Sequence, residues 1–442
     1  MDGAHGMAYI APSPSRPRPY HRITSSPGEL ALIHEAERNI QHMLVWNYYR
    51  RDAAWRIMEM KAEGTNLNCY DSLLVNSKGR RFCRHPDYKT LNGLTLDETG
   101  CAIEEGNDGI PCTPTDTDFE IINTHGRPWI MLNVLNVAFE HALKFTIDDH
   151  KMWVVANDGG FVEPQLVDLD QEGADYAMRF VSASTHQNLL GISILRYPAL
   201  RYPPHGAPMP VPSPLSGSQP CVEPDGTMIS SCNTTDVESL APYPPSAPPP
   251  SNKTLHFKID SHPSKYEKHI TEYVLNQKPF QLYRAQMAPA LFVEDVSHVG
   301  PPVVGDLPWG TTVDVIVQNT ANETIPLYKH GDPTALLGSR PNETWDWQTV
   351  GDAIKAGVKL NLKTPAYQLV HEVPPLGWAV LRWQILVRGA TMMHAAKFKY
   401  YALGMAAPLL EGMDNNTHAE IPDDARNLPH VEFEPKNDGI FG

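Results

Sequence analysis

Apolar side chains recur at helical spacing near the start of the chain and then switch, from residue 71 onward, to short alternating runs. In "SSPGEL", Ser26 can cap a helix, Pro27 suits its first turn and Glu29 completes a Ser-x-x-Glu capping box. Leu30, Ile33, Ile40 and Leu44 follow at near-helical intervals, so the pattern predicts a capped helix over 26–44. A second helical run, "RRDAAWRIMEMKAEG" (50–64), stops at Gly64.

From "DSLLVNSKGRRF" (71–82) to "LLGISILRYPA" (189–199) the runs are β-branched or aromatic and bounded by Gly, Asp, Asn and Pro. "HALKFTID" and "HKMWVVANDGG", around a turn at Asp148 and Asp149, give a β-sandwich signature. Residues 202–251 are rich enough in proline to predict an extended linker. A second β region follows, with strands over 253–260, 311–319, 366–373 and 377–386, and "GDAIKAG" as a helical or turn insertion. Its core is expected to use Val313, Val315, Val317, Trp378, Val380 and Trp383 in alternation. The chain thus divides into an N-terminal extension (1–45), a first β domain (46–201), the linker (202–251), a second β domain (252–412) and a loose polar tail (413–442).

A length of 442 residues agrees with two domains. The net charge of −15 argues against a nucleic-acid partner, since a phosphate backbone rewards clustered Lys and Arg. The longest apolar candidate, "IMLNVLNVAF" (130–139), is broken by asparagines, so no membrane span is expected. "MDGAHGMAYIAPSPSRPRPY" has no apolar core like a secretory signal and on its face keeps the chain in the cytosol. Sequons at Asn233, Asn252, Asn322, Asn342 and Asn415, and an even set of cysteines (Cys69, Cys83, Cys101, Cys112, Cys221 and Cys232), suit a secreted chain instead. Together these features suggest a secreted ancestor whose leader is missing. The nineteen histidines include no pair at i, i+2, so no sequence-local metal site is signalled, and neither a Gly-x-Ser-x-Gly elbow nor a phosphate-cradling loop occurs.

"PPLGWAVLRWQILVRGATMMHAAKFKYYALGMAAPLLEG" resembles the C-terminal end of the multicopper oxidases, the laccase and ferroxidase family of fungal type. That family's stretch runs Gly-Trp-Ala-Val-Leu-Arg-Phe, then Asn-Pro-Gly, then His-Cys-His-x-x-x-His and a Gly-Met or Gly-Leu. "WGTTVDVIVQNTANETIPLYKHGDPTALLGS" is similar to the family's strand followed by His-Pro-x-His-x-His-Gly-His, and "FTIDDHKMWVVANDGGFVEPQLVD" to its middle domain. The resemblance implies an all-β protein with two cupredoxin-like Greek-key β-sandwich domains after a short helical N-terminal segment. It also implies copper: a blue copper on two His, one Cys and a weak axial Met or Leu, wired through the His-Cys-His strand to a trinuclear cluster. The implied activity is one-electron oxidation of a small phenolic molecule, or of ferrous iron, with dioxygen reduced to water.

Carried over residue by residue, the His-Cys-His positions are His394, Ala395 and Ala396, the next His is Tyr400 and the axial residue is Met405. Upstream the four histidine positions are Ile325, Tyr328, His330 and Asp332. Alanine cannot bind copper, and a blue site needs a thiolate. His330 and His394 are left as metal candidates from the trinuclear cluster and Met405 from the axial position, so copper is expected to be absent or partial. The family's first domain, with its His-x-His motifs, has no counterpart here, and in "PQLVDLDQEGADYAMRF" the family's strand and turn between the "VD" and the Tyr-x-x-x strand are expected to be missing. The sequence therefore implies a non-catalytic relative. The alternatives are a copper oxidoreductase of secondary metabolism lacking its leader and first domain, a protein that binds a partner, or a truncated gene product. Lys397 and Lys399 offer a new binding face or ordinary surface, and Trp378 and Trp383 a phenol pocket or sandwich core.

Overall fold

A computed structural model describes all residues except 1–4, 64–68, 85–86, 91–92, 104–108, 168–174, 183, 198–219, 231, 233, 265–269, 281–298, 414–422 and 424–442. Asn233, Asn415, residues 202–219 of the expected linker and nearly all of the expected tail lie outside this set. The chain divides into two units, Met1–Asn157 with Phe161–Asp236, and Asp158–Gly160 with Val237–Gly442.

The first unit opens with helix α1 (Pro27–Arg38), and Ser26 caps it by accepting the Glu29 N–H at 3.4 Å. Half of the expected capping box is made, because the Ser26 N–H donates to Thr24 Oγ1 at 3.1 Å. The helix ends before Ile40, and Leu44 belongs to strand β1 (Gln41–Tyr48). Met43 and Val45 are fully buried on that strand, so the two-residue period wins over helical spacing that Ile40 and Leu44 also satisfy. Helix α2 (Ala53–Glu63) follows, then β2 (Ser72–Val75), β3 (Glu120–Asn123), β4 (Leu132–Asn136) and β5 (Leu143–Ile147). The last four strands are β6 (Met152–Asn157), β7 (Gly160–Val167), β8 (Asp175–Ser182) and β9 (Leu190–Arg196).

Sheets β2-β1-β4 and β3-β9-β8-β5 share a core of Met43, Val45, Leu73, Val75, Ile147, Met178, Phe180 and Leu195. Strands β7 and β8 flank residues 168–174, and the stretch between them, where a strand and turn are expected to be missing, lies outside the described residues. Disulfides join Cys69 to Cys101, Cys83 to Cys112 and Cys221 to Cys232. The described part of the proline-rich stretch is not simply extended. Residues Cys221 to Cys232 form a closed loop, and Val222 is buried against Ala177, Ile192 and Ile194 on the outer face of β8 and β9.

The second unit contains β10 (Lys253–Pro263), β11 (Thr271–Val274), β12 (Val304–Leu307), β13 (Thr312–Asn319), β14 (Ile325–Lys329) and β15 (Thr334–Arg340). Helix α3 (Val350–Lys355), β16 (Ala366–Gln368), β17 (Val370–Val373) and β18 (Trp378–Gln384) come next. The unit closes with β19 (Gly389–Ala395), the short helix α4 (Phe398–Ala402) and β20 (Ala406–Glu411). The sheets are β11-β10-β13-β18-β15-β16 and β12-β20-β19-β14-β17. The run expected as one strand over 366–373 breaks at Leu369, with β16 in the first sheet and β17 in the second.

Val313, Val315 and Val317 face the inter-sheet core together with Ala379, Leu381 and Trp383. Trp378 and Val380 lie on the other side of the first sheet, packed with Ile316 against Trp345, Val350 and Ala353. Both tryptophans are buried, which makes them packing residues rather than the lining of an open phenol pocket.

Candidate metal centre

Strands β14 and β19 are antiparallel neighbours, with Leu327 opposite Ala395, Tyr328 opposite His394 and Lys329 opposite Met393. Successive side chains on a strand point to opposite faces, so His394 and Ala395 serve different environments. His394 is buried and meets exposed His330, just beyond the end of β14, with 3.0 Å between their Nε2 atoms. The His394 Nδ1–H donates to the Ala395 carbonyl at 2.7 Å, which leaves Nε2 of the neutral ring as the acceptor for the His330 Nε2–H. The Tyr328 ring lies 4.6 Å from His330 and 5.4 Å from His394, and the Tyr401 ring 4.6 Å from His394. Burial, with a smaller effect of His330, pushes His394 down to about 4. Burial and then the Lys329 ammonium lower His330 as well, so both imidazoles are neutral at pH 7.

The four positions aligned with blue-copper ligands belong to one core cluster. Ile325, Ala395, Tyr400 and Met405 are all buried in the inter-sheet core. The Ala395 N–H donates to the Met405 carbonyl at 3.0 Å, and the Met405 N–H to the Tyr400 carbonyl at 2.8 Å. Gly404 makes this turn possible: its φ is +113°, and a Cβ there would stand 2.9 Å from the Tyr273 carbonyl oxygen. The Tyr400 ring packs on Tyr273 at 4.6 Å, and its hydroxyl donates to the Glu323 carboxylate. Lys397 donates to the other Glu323 oxygen at 2.8 Å, while the Lys399 ammonium lies over Tyr273 at 5.5 Å and Tyr400 at 5.1 Å. Lys397 thus belongs to a built ion pair.

The inward pocket does not fit a blue copper. It offers aliphatic carbon, a thioether and a phenol already bound to a carboxylate, and every cysteine of the chain is in a disulfide of the first unit. Nor does the outward pair fit a trinuclear cluster. His394 has the arrangement of a metal-binding imidazole, one nitrogen held by a carbonyl and the other turned to a neighbour. Among the described residues, however, no group of three or more His, Cys, Asp or Glu gathers around a common point. Asp332 is exposed, and Met405 is core. The family resemblance singled out Ala395 and Tyr400, but not the contact of Tyr400 with Glu323, which comes from the turn before β14.

A third imidazole, His371 on β17, is opposite Leu327 in register and donates through Nε2 to the Thr334 carbonyl at 3.0 Å. Burial depresses it to about 4. The unfolded chain takes up this proton near pH 6.5 and the folded chain only near 4, so the neutral ring's contribution is whole above 6.5 and drains away between them. The loss should reach about 3 kcal/mol below pH 4. Urea unfolding of wild type and His371→Leu across pH 7.5 to 4 checks this. The variant should show the shallower acid slope, and parallel slopes would refute the assignment.

Multicopper oxidase family models match residues 43–198 and 274–415. A laccase of Pestalotiopsis fici is 30% identical over 471 residues, covering 98% of this chain and 76% of that protein. Among solved structures, Fet3p, described as a multicopper oxidase that functions in iron import, superposes with a TM-score of 0.58 at 14% identity, over 84% of this chain and 65% of that one. The laccase of Botrytis aclada gives 0.58 at 14% identity, over 87% and 65%. At such identity the likeness is one of fold, and the chain spans just under two thirds of both structures.

Proposed function

The chain belongs to the multicopper oxidase family, and on that premise we propose that it is a laccase-like member that does not carry out the family's copper-dependent oxidation. One observation carries the proposal: Ala395 occupies the buried, inward-facing place where the thiolate is required. An electron taken from a phenol or a metal ion has no sulfur path between the pocket and the His330–His394 side of the strand. Further histidines from a longer chain would leave Ala395 unchanged. The packing supports a folded, non-catalytic protein, because Tyr400, Glu323 and Lys397 fill the pocket with satisfied partners. Any copper would rest on two imidazoles, His330 and His394, and be held weakly. The three disulfides support residence in an oxidising, secretory compartment.

Titration of the purified chain with copper tests this. No thiolate-to-copper absorption band and no oxygen consumption with a phenol are expected. A stoichiometric blue centre would overturn the proposal.

A further inference from the structure

On the outer face of the sheet β11-β10-β13-β18-β15-β16, Trp345, Val350 and Ala353 pack over Trp378 and Val380 of β18 and Ala335 and Leu337 of β15, and reach Ile316 on β13. Beside this cover, β10 turns His256 and Lys258 outward, level with Ile316 and Gln318 in the parallel register of β13. Both β10 residues are exposed, whereas Phe257 and Ile259 are buried in the inter-sheet core. The step from covered to uncovered strand leaves a cavity of about 210 Å³, with Ile316 and Gln318 as its floor and Trp345, Thr344, His256 and Lys258 around it. Its walls are fixed by hydrogen bonds. Gln318 accepts the Trp345 N–H at 2.9 Å through Oε1 and donates through Nε2 to the Gly377 carbonyl at 2.9 Å. The Trp345 indole N–H donates to the Trp347 carbonyl at 2.7 Å, and the His256 Nε2–H to the Gln348 carbonyl at 2.9 Å. At the rim, the Lys258 ammonium pairs with Asp260, and both side chains are largely in solvent, at 59% and 42% exposure. Such a pair is worth little and exchanges its partner readily.

We propose that this cavity binds a small aromatic carboxylate, with its ring between Trp345 and His256 and its carboxylate on the Lys258 ammonium. An apolar cavity of about 150 Å³ accepts benzene, so this one has room for a single substituted ring. Two flat walls held in place by the backbone favour a ring over a flexible chain, and an ammonium with an exchangeable partner favours an anion. The cavity lies on the opposite face of the sheet from the cluster of Ile325, Ala395, Tyr400 and Met405, so it is independent of the positions aligned with copper ligands.

The test is a fluorine NMR titration of the full chain with para-fluorobenzoate. Saturable broadening of the probe signal is expected, reversed by unlabelled benzoate. Lys258→Met should weaken binding roughly tenfold, the worth of one charge-assisted hydrogen bond. Asp260→Asn should tighten it, because the ammonium loses its competing carboxylate. Both positions are largely in solvent, and urea midpoints equal to wild type would confirm that the variants fold. The neutral para-fluorobenzamide has the same shape without the charge, and should bind wild type as weakly as the acid binds Lys258→Met. That comparison needs no variant. Failure of wild type to bind the acid saturably, or equal affinity for acid and amide, would overturn the proposal.

Discussion

Arg382→Met is expected to destabilise the second unit by about 3–5 kcal/mol, because it strands a carboxylate in the interior. Asp314 and Arg382 are direct cross-strand partners on β13 and β18, with Asp314 fully buried and Arg382 6% exposed. Arg382 donates through Nε at 2.6 Å to one Asp314 oxygen and through Nη2 at 2.9 Å to the other, a bidentate fork that fixes register as well as charge. Ser251 donates to the same carboxylate, and the Pro249 carbonyl accepts from Nη1 at 3.4 Å, so the segment before β10 closes over the pair. Removing one partner costs the full desolvation of the other, whereas replacing both with apolar residues of similar volume releases it. Asp314→Leu with Arg382→Met should therefore recover most of the loss. Urea unfolding followed by the fluorescence of Trp378 and Trp383 reports the difference. A single-variant loss under about 1 kcal/mol would mean that water reaches the pair, as it does in exposed ion pairs.

The same strands show what the sequence could and could not disclose. Alternation marked β13 and β18 correctly, since valines at every second position have few other uses. It did not disclose that β18 is buried on both faces. Parity alone was a clue: Trp378 and Trp383 are an odd number of residues apart and must face opposite ways, so one core could not hold both. The capped start of α1 was legible because Ser26 and Pro27 act locally. Its end was not, because Ile40 and Leu44 suit either period until β2 and β4 pair with β1. At the candidate site, the resemblance to the family's motif located Ala395, Tyr400 and Met405, while the partners that make the pocket stable come from elsewhere in the chain. Glu323 lies 77 residues before Tyr400, and no local pattern connects them.

Restoring the ligands should restore copper. The variant Ile325→His, Ala395→Cys, Tyr400→His is expected to bind one copper per chain with the intense visible absorption of a copper–thiolate bond. The frame for it stands in the described residues. Ala395 faces inward from β19, its backbone is bonded to Met405, and Ile325 is buried in the same cluster. Without metal the variant should be less stable by several kcal/mol, roughly the cost of burying two imidazoles and breaking the Tyr400–Glu323 contact. Copper should return that stability through linkage, so the unfolding midpoint should rise with metal concentration. Ala395→Cys alone supplies sulfur without its two imidazole partners and should give no such band. A folded triple variant that binds no copper would show that the four positions do not converge as the core packing requires. A blue triple variant beside a colourless wild type would locate the loss of the blue-copper centre in three side chains on an otherwise competent sandwich.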